Sequence, residues 1–492
     1  MTRPKLVAPW LVAIALVLAG CSSGDSDVEP GDDPPAGSAA PNERGGGEPA
    51  LDDPALDAAL SEPVEDPVYP RVGDPGVDAL HYYLDLAWTP ESSTLEGVET
   101  LVFRATTDAG QFQLDLGEPL TVSELSVDGE AADFEEDGKD LVVRTPVEAD
   151  RRYLLELHYS GTPRPVRAPT TRSDFDTLGW QVTDSHQSWT MQEPYGAFTW
   201  YAVNDQPSDK ALYDFTISTP APWVGVANGE LVSREDLDGD TVTRWHLDEP
   251  ASSYLVTAAV GDYRMESDES ANAVPITYWT ERGDTFARER VRRTADLLGW
   301  IEDRLGPYPF SSLGVLVVDS VTGMETQTML TLGDNDYVLS PAVILHELVH
   351  QWYGDRVTPR DWRDLWMSEG MTMYLQAVWE AEFEDVPLEQ RLRGWAAEDQ
   401  EMRDEAGPPA DTEPGAFGED GVYFIPALMW HELRERLGND VFWDLVRRWP
   451  AEHDNGNASY DEFTGWWSDQ TGEDLQPFFD EWLLGATTPD RS

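Results

Sequence analysis

The chain has 492 residues, 94 of them acidic against 33 basic, for a formal net charge of −61, and it carries a single cysteine. So acidic a surface repels nucleic acid, and one cysteine excludes a disulfide framework within the chain. Only Lys5, Lys139 and Lys210 are lysines; adaptation to high salt is one reading of this balance, and a genome that favours arginine over lysine is the alternative.

Arg3 and Lys5 precede an apolar run from Leu6 to Ala19, sized for the core of an export signal and short for a membrane span. The run ends in Leu18-Ala19-Gly20-Cys21, which resembles a bacterial lipobox. Residues 1–21 are therefore expected to be a lipoprotein signal peptide. Cys21 would be lipidated, tethering the mature protein to the outer, extracytoplasmic face of the cell membrane. From Ser22 to Asp74 the chain holds 14 Asp and Glu against 2 Arg, amid Gly, Pro, Ser and Ala. Residues 22–75 thus read as a disordered acidic linker, extended by its own charge.

Between 76 and 262 the hydrophobic period is two. Tyr153, Leu155, Leu157 and Tyr159 alternate with Leu154, Glu156 and His158, and Tyr213, Phe215 and Ile217 with Asp214, Thr216 and Ser218. Asp128-Gly129, Asp137-Gly138 and Asp238-Gly239 mark tight turns between such runs, so an antiparallel β domain is expected here.

From 263 to 492 the texture is mainly helical. Phe286, Val291, Ala295, Leu298, Ile301 and Leu305 recur at helical spacing up to Gly306-Pro307, and a strand follows at 313–318. A polar loop is expected from about 392 to 420, then helices over 422–437 and 440–449 and one opened by the capping box Ser459-Tyr460-Asp461-Glu462. Within this region stands His346-Glu347-Leu348-Val349-His350. On a helix the two histidines share one face, one turn apart, and can reach one Zn²⁺ while Glu347 points at its open position. With 8 histidines in the chain, residue frequencies give this pattern about a 1% chance of arising anywhere. Val343, Ile344, Leu345, Leu348 and Val349 make the helix apolar enough to be buried, where uncompensated His and Glu are costly. Glu369 is the natural third ligand, and three N/O ligands plus water describe a catalytic zinc site.

The zinc motif, the spacing to Glu369 within Trp366-Met367-Ser368-Glu369-Gly370, Gln351-Trp352-Tyr353-Gly354-Asp355, Gly306-Pro307-Tyr308-Pro309-Phe310 and Asp205-Gln206-Pro207 together resemble the aminopeptidase N family of gluzincin metallopeptidases. The resemblance covers roughly residues 76 to 487 and is to the short, secreted bacterial members. It implies an α+β multidomain fold, with the N-terminal antiparallel β domain followed by a thermolysin-like, mostly helical zinc peptidase domain. It further implies that Gly323-Met324-Glu325 lines the substrate site, with Glu325 binding the peptide's free α-amine. Glu193, with Gln192 as a weaker candidate, supplies a second amine contact in the β domain. Tyr423 would stabilise the oxyanion, although Ile425 and Pro426 stand where the family carries a basic residue and glycine. The expected function is release of N-terminal residues from peptides, with Glu347 as general base and one Zn²⁺ per chain. A thermolysin-type endopeptidase and a non-catalytic peptide-binding surface lipoprotein are the rivals.

Overall fold

The computed structural model describes residues 49–173 and 175–489. The expected signal peptide, Cys21 and the first part of the expected linker lie outside the described residues.

The second half of that linker is ordered, contrary to the compositional expectation. A 3₁₀ turn at Pro54–Ala59 buries Leu56 and Ala59 against Leu80, Val102, Leu154 and Leu212. Asp66 accepts hydrogen bonds from the backbone N–H groups of Val68, Tyr69 and Trp362 at 2.7–2.8 Å. A segment too polar to build a core of its own folds here because a finished one offers it a groove and donors.

Eight strands form the main β sheet, in the spatial order Glu230–Leu237, Asp240–Ser252, Lys210–Pro220, Val77–Thr89, Thr94–Ala105, Arg152–Gly161, Leu120–Val127 and Glu130–Ala131. All neighbours pair antiparallel except Val77–Thr89 with Lys210–Pro220. The alternating residues Tyr153, Leu155, Leu157 and Tyr159 are buried, as are Tyr213, Phe215 and Ile217. At Asp128-Gly129 and Asp238-Gly239 both residues have positive φ, the backbone that a two-residue hairpin requires. A second sheet contains Ser188–Met191, whose end leads into Gln192 and Glu193.

The third sheet belongs to the C-terminal half, in the order Tyr263–Glu269, Pro275–Glu281, Leu313–Val318, Met329–Gly333 and Gly323–Met324. Its three central strands are parallel, and all six residues of Leu313–Val318 are buried. Val315 and Val317 face the helical core while Leu316 and Val318 face the β domain, which is why this strand is apolar without alternation. Gly323–Met324 is an edge strand.

The longer helices are α1 (Thr285–Val291), α2 (Thr294–Leu305), α3 (Pro341–His350), α4 (Trp366–Phe383), α5 (Leu388–Ala406), α6 (Gly421–Leu437), α7 (Asn439–Glu452) and α8 (Tyr460–Thr471). The single helix expected up to Leu305 is broken at Arg292-Arg293. The larger difference is α5, where a polar loop was expected. Leu392, Trp395, Asp399, Met402, Arg403 and Ala406 are its buried residues, one narrow stripe on an otherwise charged helix. Asp399 and Arg403 pair at 2.6 Å inside that stripe, so two of its core positions read as surface. The capping box at Ser459 is present.

One buried cation joins the halves. Lys210, in the main β sheet, donates from Nζ to the carbonyl oxygen of Asp355 at 2.7 Å, just after α3. Burial pulls its ammonium down to about 7 despite the neighbouring Asp355 carboxylate.

Candidate active site

Ser340 caps α3 and Pro341 occupies its first turn, fixing where the helix starts. Every residue from Ala342 to His350 is buried, so the His-Glu-x-x-His motif lies inside the molecule. Helix α4 crosses it and brings Glu369 from its first turn. Glu369 Oε2 lies 3.2 Å from His346 Nε2 and 3.5 Å from His350 Nε2. Zinc bonds of about 2.0–2.1 Å in a tetrahedral shell place neighbouring ligand atoms roughly 3.3 Å apart. The three donor atoms, all within 4.8 Å of one another, therefore fit zinc.

Both imidazoles are held with Nε2 inward. His350 Nδ1 lies 3.1 Å from the carbonyl oxygen of Tyr353, and His346 Nδ1 lies 3.2 Å from Gln376 Oε1. An Nδ1–H donating to each oxygen leaves Nε2 with the lone pair a metal needs. Gln376 in turn donates to Glu380, which pairs with Arg391. Gln376 and Glu380 escaped the sequence reading; their positions seven and eleven residues after Glu369, on the same face of α4, are the signal that was there. Burial would raise the Glu369 carboxyl, but His350 and His346 overrule it and hold it well below the usual range.

Glu347, between the two histidines, reaches toward the edge strand. A Cβ added to Gly323 would stand 2.7 Å from Glu347 Oε1. Glycine at 323 thus makes room for the carboxylate. Gly323→Ala is expected to lower kcat about tenfold while zinc content stays unchanged, through a displaced Glu347; paired metal analysis and steady-state kinetics check this. Met324, next in the strand, is buried in an apolar cluster with Met191, Tyr254, Leu255 and Trp362.

Glu325 follows, buried, with Oε1 3.9 Å from His350 Nδ1. Its backbone is tied to the zinc helix by Gln351, a third residue whose role was missed from sequence. The Gln351 amide donates to the Glu325 carbonyl at 2.8 Å and to Asp355 at 2.6 Å, and accepts from Thr328 N–H at 2.9 Å and Tyr308 O–H at 3.1 Å. One fully used side chain thereby fixes the loop on the metal-bearing helix.

From the β domain, Glu193 enters the same space. Carboxylate oxygens of Glu193, Glu325 and Glu369 lie within 4.8 Å of one another, and Glu193 Oε1 is buried with no hydrogen-bond partner. Asp205 shapes this segment by accepting from Gly196 N–H at 2.8 Å and from the Ser253 hydroxyl at 2.8 Å. Gln192 proves different from its expected role as an amine contact. Its amide donates to the Ser253 and Val256 carbonyls, both at 2.8 Å, and accepts from Trp200 Nε1 at 2.9 Å. Those bonds hold it in the wall behind Glu193.

Tyr423, in the first turn of α6, stacks obliquely near the metal ligands, its ring centroid 6.3 Å from that of His346.

The Peptidase family M1 domain matches residues 290–482 and the Peptidase M1 N-terminal domain matches residues 78–255, between them most of the chain. The chain belongs to peptidase family M1. The solved M1 zinc metallopeptidase from Deinococcus radiodurans superposes with a TM-score of 0.78 at 25% identity, over 87% of this chain and 98% of that one. A mutant of that enzyme, bound to a Tyr-Ser-Ala substrate, is similar at a TM-score of 0.77 and 24% identity, over 87% of this chain and 99% of that one. Among curated relatives, Aminopeptidase N of Streptomyces lividans is 24% identical over 442 residues, covering 83% of this chain and 50% of its own length. The chain spans about half the length of these curated relatives.

Its departures from the M1 pattern have local reasons. Thr326 is buried and its hydroxyl bonds Met329 O and, at 2.9 Å, Thr331 Oγ1, so it closes the turn after Glu325. Pro426 packs on α4 at Gly370, where an added Cβ would meet its Cβ at 2.3 Å. That contact brings α6, and Tyr423 on it, close to the helix that carries Glu369.

Proposed function

We propose that this M1 protein is a zinc-dependent aminopeptidase that hydrolyses the first peptide bond of substrates with a free N-terminus. The observation that carries the reading is the pair of buried carboxylates, Glu193 and Glu325, from two domains beside the three-residue metal set. A peptide ammonium placed between them would relieve like-charge crowding and restore a partner to Glu193. Burial and then the Glu325 charge push the Glu193 carboxyl up; burial and then Glu325 push up Glu347 as well.

When bound on His346, His350 and Glu369, zinc supplies a Lewis acid that activates water and polarises the scissile carbonyl. Glu347 accepts the attacking water's proton and returns it to the leaving amine. Tyr423 donates a hydrogen bond to the tetrahedral oxyanion. The Gly323–Met324 edge offers unpaired backbone groups along which an extended peptide aligns, and Glu193 with Glu325 limits productive binding to its first residue.

Acetylating the N-terminus of a short peptide is the test. The free peptide is expected to lose its first residue and the acetylated one to survive. Internal cleavage of both would establish the thermolysin-type endopeptidase, and turnover of neither by zinc-loaded protein would leave a binding protein.

The N-terminal address belongs to the same proposal. Export followed by lipid attachment at Cys21 accords with Leu18-Ala19-Gly20-Cys21, and among the described residues no helix is long and apolar enough to cross a membrane. In a bacterial host, Cys21→Ser should abolish incorporation of labelled fatty acid and release the protein from membranes; a retained label rejects the anchor.

A further inference from the structure

The β domain reaches the oxyanion side of the cleft through one short segment. Between the strands Val166–Arg167 and Thr177–Val182 the chain runs out to the catalytic half and docks on the loop before α6. Phe417 N–H donates to the Pro169 carbonyl at 3.2 Å, and Thr170 Oγ1 donates to the Phe417 carbonyl at 2.7 Å. The Thr171 hydroxyl bonds the Glu419 carboxylate. These contacts set the position of Arg172. Its Nη1 donates to the Gly418 carbonyl at 2.8 Å and to the Tyr423 phenol oxygen at 3.2 Å, with the guanidinium carbon 5.9 Å from the Tyr423 ring centroid. Gly418 has φ +66°, and a Cβ there would come within 3.3 Å of Arg172 Nη1 and 3.7 Å of the Tyr423 oxygen. Glycine at 418 therefore suits both the turn and the close approach of the guanidinium.

The arrangement bears on a gap in the sequence. Tyr423 lacks the basic residue that follows the corresponding tyrosine in the family pattern, because Ile425 stands there, buried in the helical core. We infer that Arg172, reaching in from the other domain, acts as the positioning residue for Tyr423. It holds the phenol by its oxygen lone pair and leaves the O–H to point at the oxyanion. This rests on the aminopeptidase reading and deepens it.

Two consequences of physical chemistry favour such a device. A hydroxyl whose oxygen already accepts a charge-assisted N–H bond is a stronger donor, since the cation stabilises the electron density left on oxygen. A donor aimed in advance also needs no reorganisation as negative charge develops. Burial pushes the phenol's titration up, with the Glu369 charge adding to it, while Arg172 draws it back. Arg172 acts against the acidic cleft at the one atom that must donate.

The experiment is a double-mutant cycle on zinc-loaded full-length protein with an aminoacyl p-nitroanilide as substrate. Arg172→Ala is expected to lower kcat about tenfold or more with KM changed less than about threefold, and Tyr423→Phe to lower kcat further. The pair Arg172→Ala/Tyr423→Phe should then be no slower than Tyr423→Phe alone, because Arg172 has nothing left to position. Low-millimolar guanidinium should restore part of the Arg172→Ala rate and none of the Tyr423→Phe rate. Should Arg172→Ala bind less zinc or unfold early, Arg172→Lys takes its place; it keeps the charge, loses the planar fork and is expected to fall between parent and alanine. Equal losses from removing Arg172 in the parent and in the Tyr423→Phe background would overturn the inference while sparing the aminopeptidase. A Tyr423→Phe enzyme with parental kcat would overturn the role of Tyr423 itself, and this inference with it.

Discussion

Glu347→Gln should leave zinc bound and remove turnover. General acid–base catalysis by one positioned side chain is worth about 10²–10⁴ in rate, and kcat is expected to fall by that factor. Glutamine keeps the length and planarity of the side chain, so the notch at Gly323 that admits the carboxylate still fits. The ligands His346, His350 and Glu369 are untouched, as are the bonds to Tyr353 and Gln376 that orient the two imidazoles. KM should move little, since the lost function acts only once a proton is in flight. Metal analysis, thermal unfolding and steady-state kinetics on one preparation decide the matter. Near-parental kcat in zinc-loaded Glu347→Gln would remove Glu347 as the base, whereas loss of zinc would show that its charge serves binding of the ion instead.

What could be read from the sequence follows how local each signal is. His346, Glu347 and His350 sit within five residues on one helix, so helical geometry alone brings them together. Eighteen residues separate Glu369 from His350, and its arrival depends on a crossing of α3 and α4 that the apolar faces of both enforce. Strand alternation was equally local, and Tyr153 to Tyr159 emerged buried as their period dictates. Failures occurred where burial depends on a partner elsewhere in the chain. The segment from 49 to 75 has the composition of a free linker and is ordered by grooves built from Leu80, Val102, Leu154 and Leu212. Helix α5 was hidden because its interior uses an ion pair, Asp399 with Arg403, that composition assigns to the surface. Gln192 and Glu193 are adjacent and equally polar, and only the fold shows that one is bonded into the wall while the other faces the metal ligands. Gln351 and Arg172 were missed for the same reason, since their partners lie 26 and 251 residues away.

Glu325→Ala should damage recognition and chemistry together. A desolvated charge pair that loses one partner costs about 2–4 kcal/mol, which is roughly 30- to 1000-fold in kcat/KM for substrates with a free amine. Both constants should change. The ammonium is bound in the ground state, so KM rises; the clamp also sets the distance from amine to scissile carbonyl, so kcat falls when it loosens. Glu193 alone cannot compensate, because it approaches from the β domain and leaves the other side of the amine unpaired. Stability should respond in the opposite direction. Glu193, Glu325 and Glu347 are buried carboxylates whose titration burial pushes up, each worsened by an acidic neighbour. Replacing Glu325 with neutral Gln relieves that crowding, so metal-free Glu325→Gln should unfold at no lower temperature than the metal-free parent even as its kcat/KM drops. Two substrates complete the comparison. If the clamp is real, the preference for a free over an acetylated N-terminus shrinks in Glu325→Ala by the factor lost in kcat/KM, because the acetylated peptide never had that contact to lose. An equal loss on any bond the enzyme cuts without a neighbouring amine would instead make Glu325 part of the zinc site proper, acting through His350 at 3.9 Å.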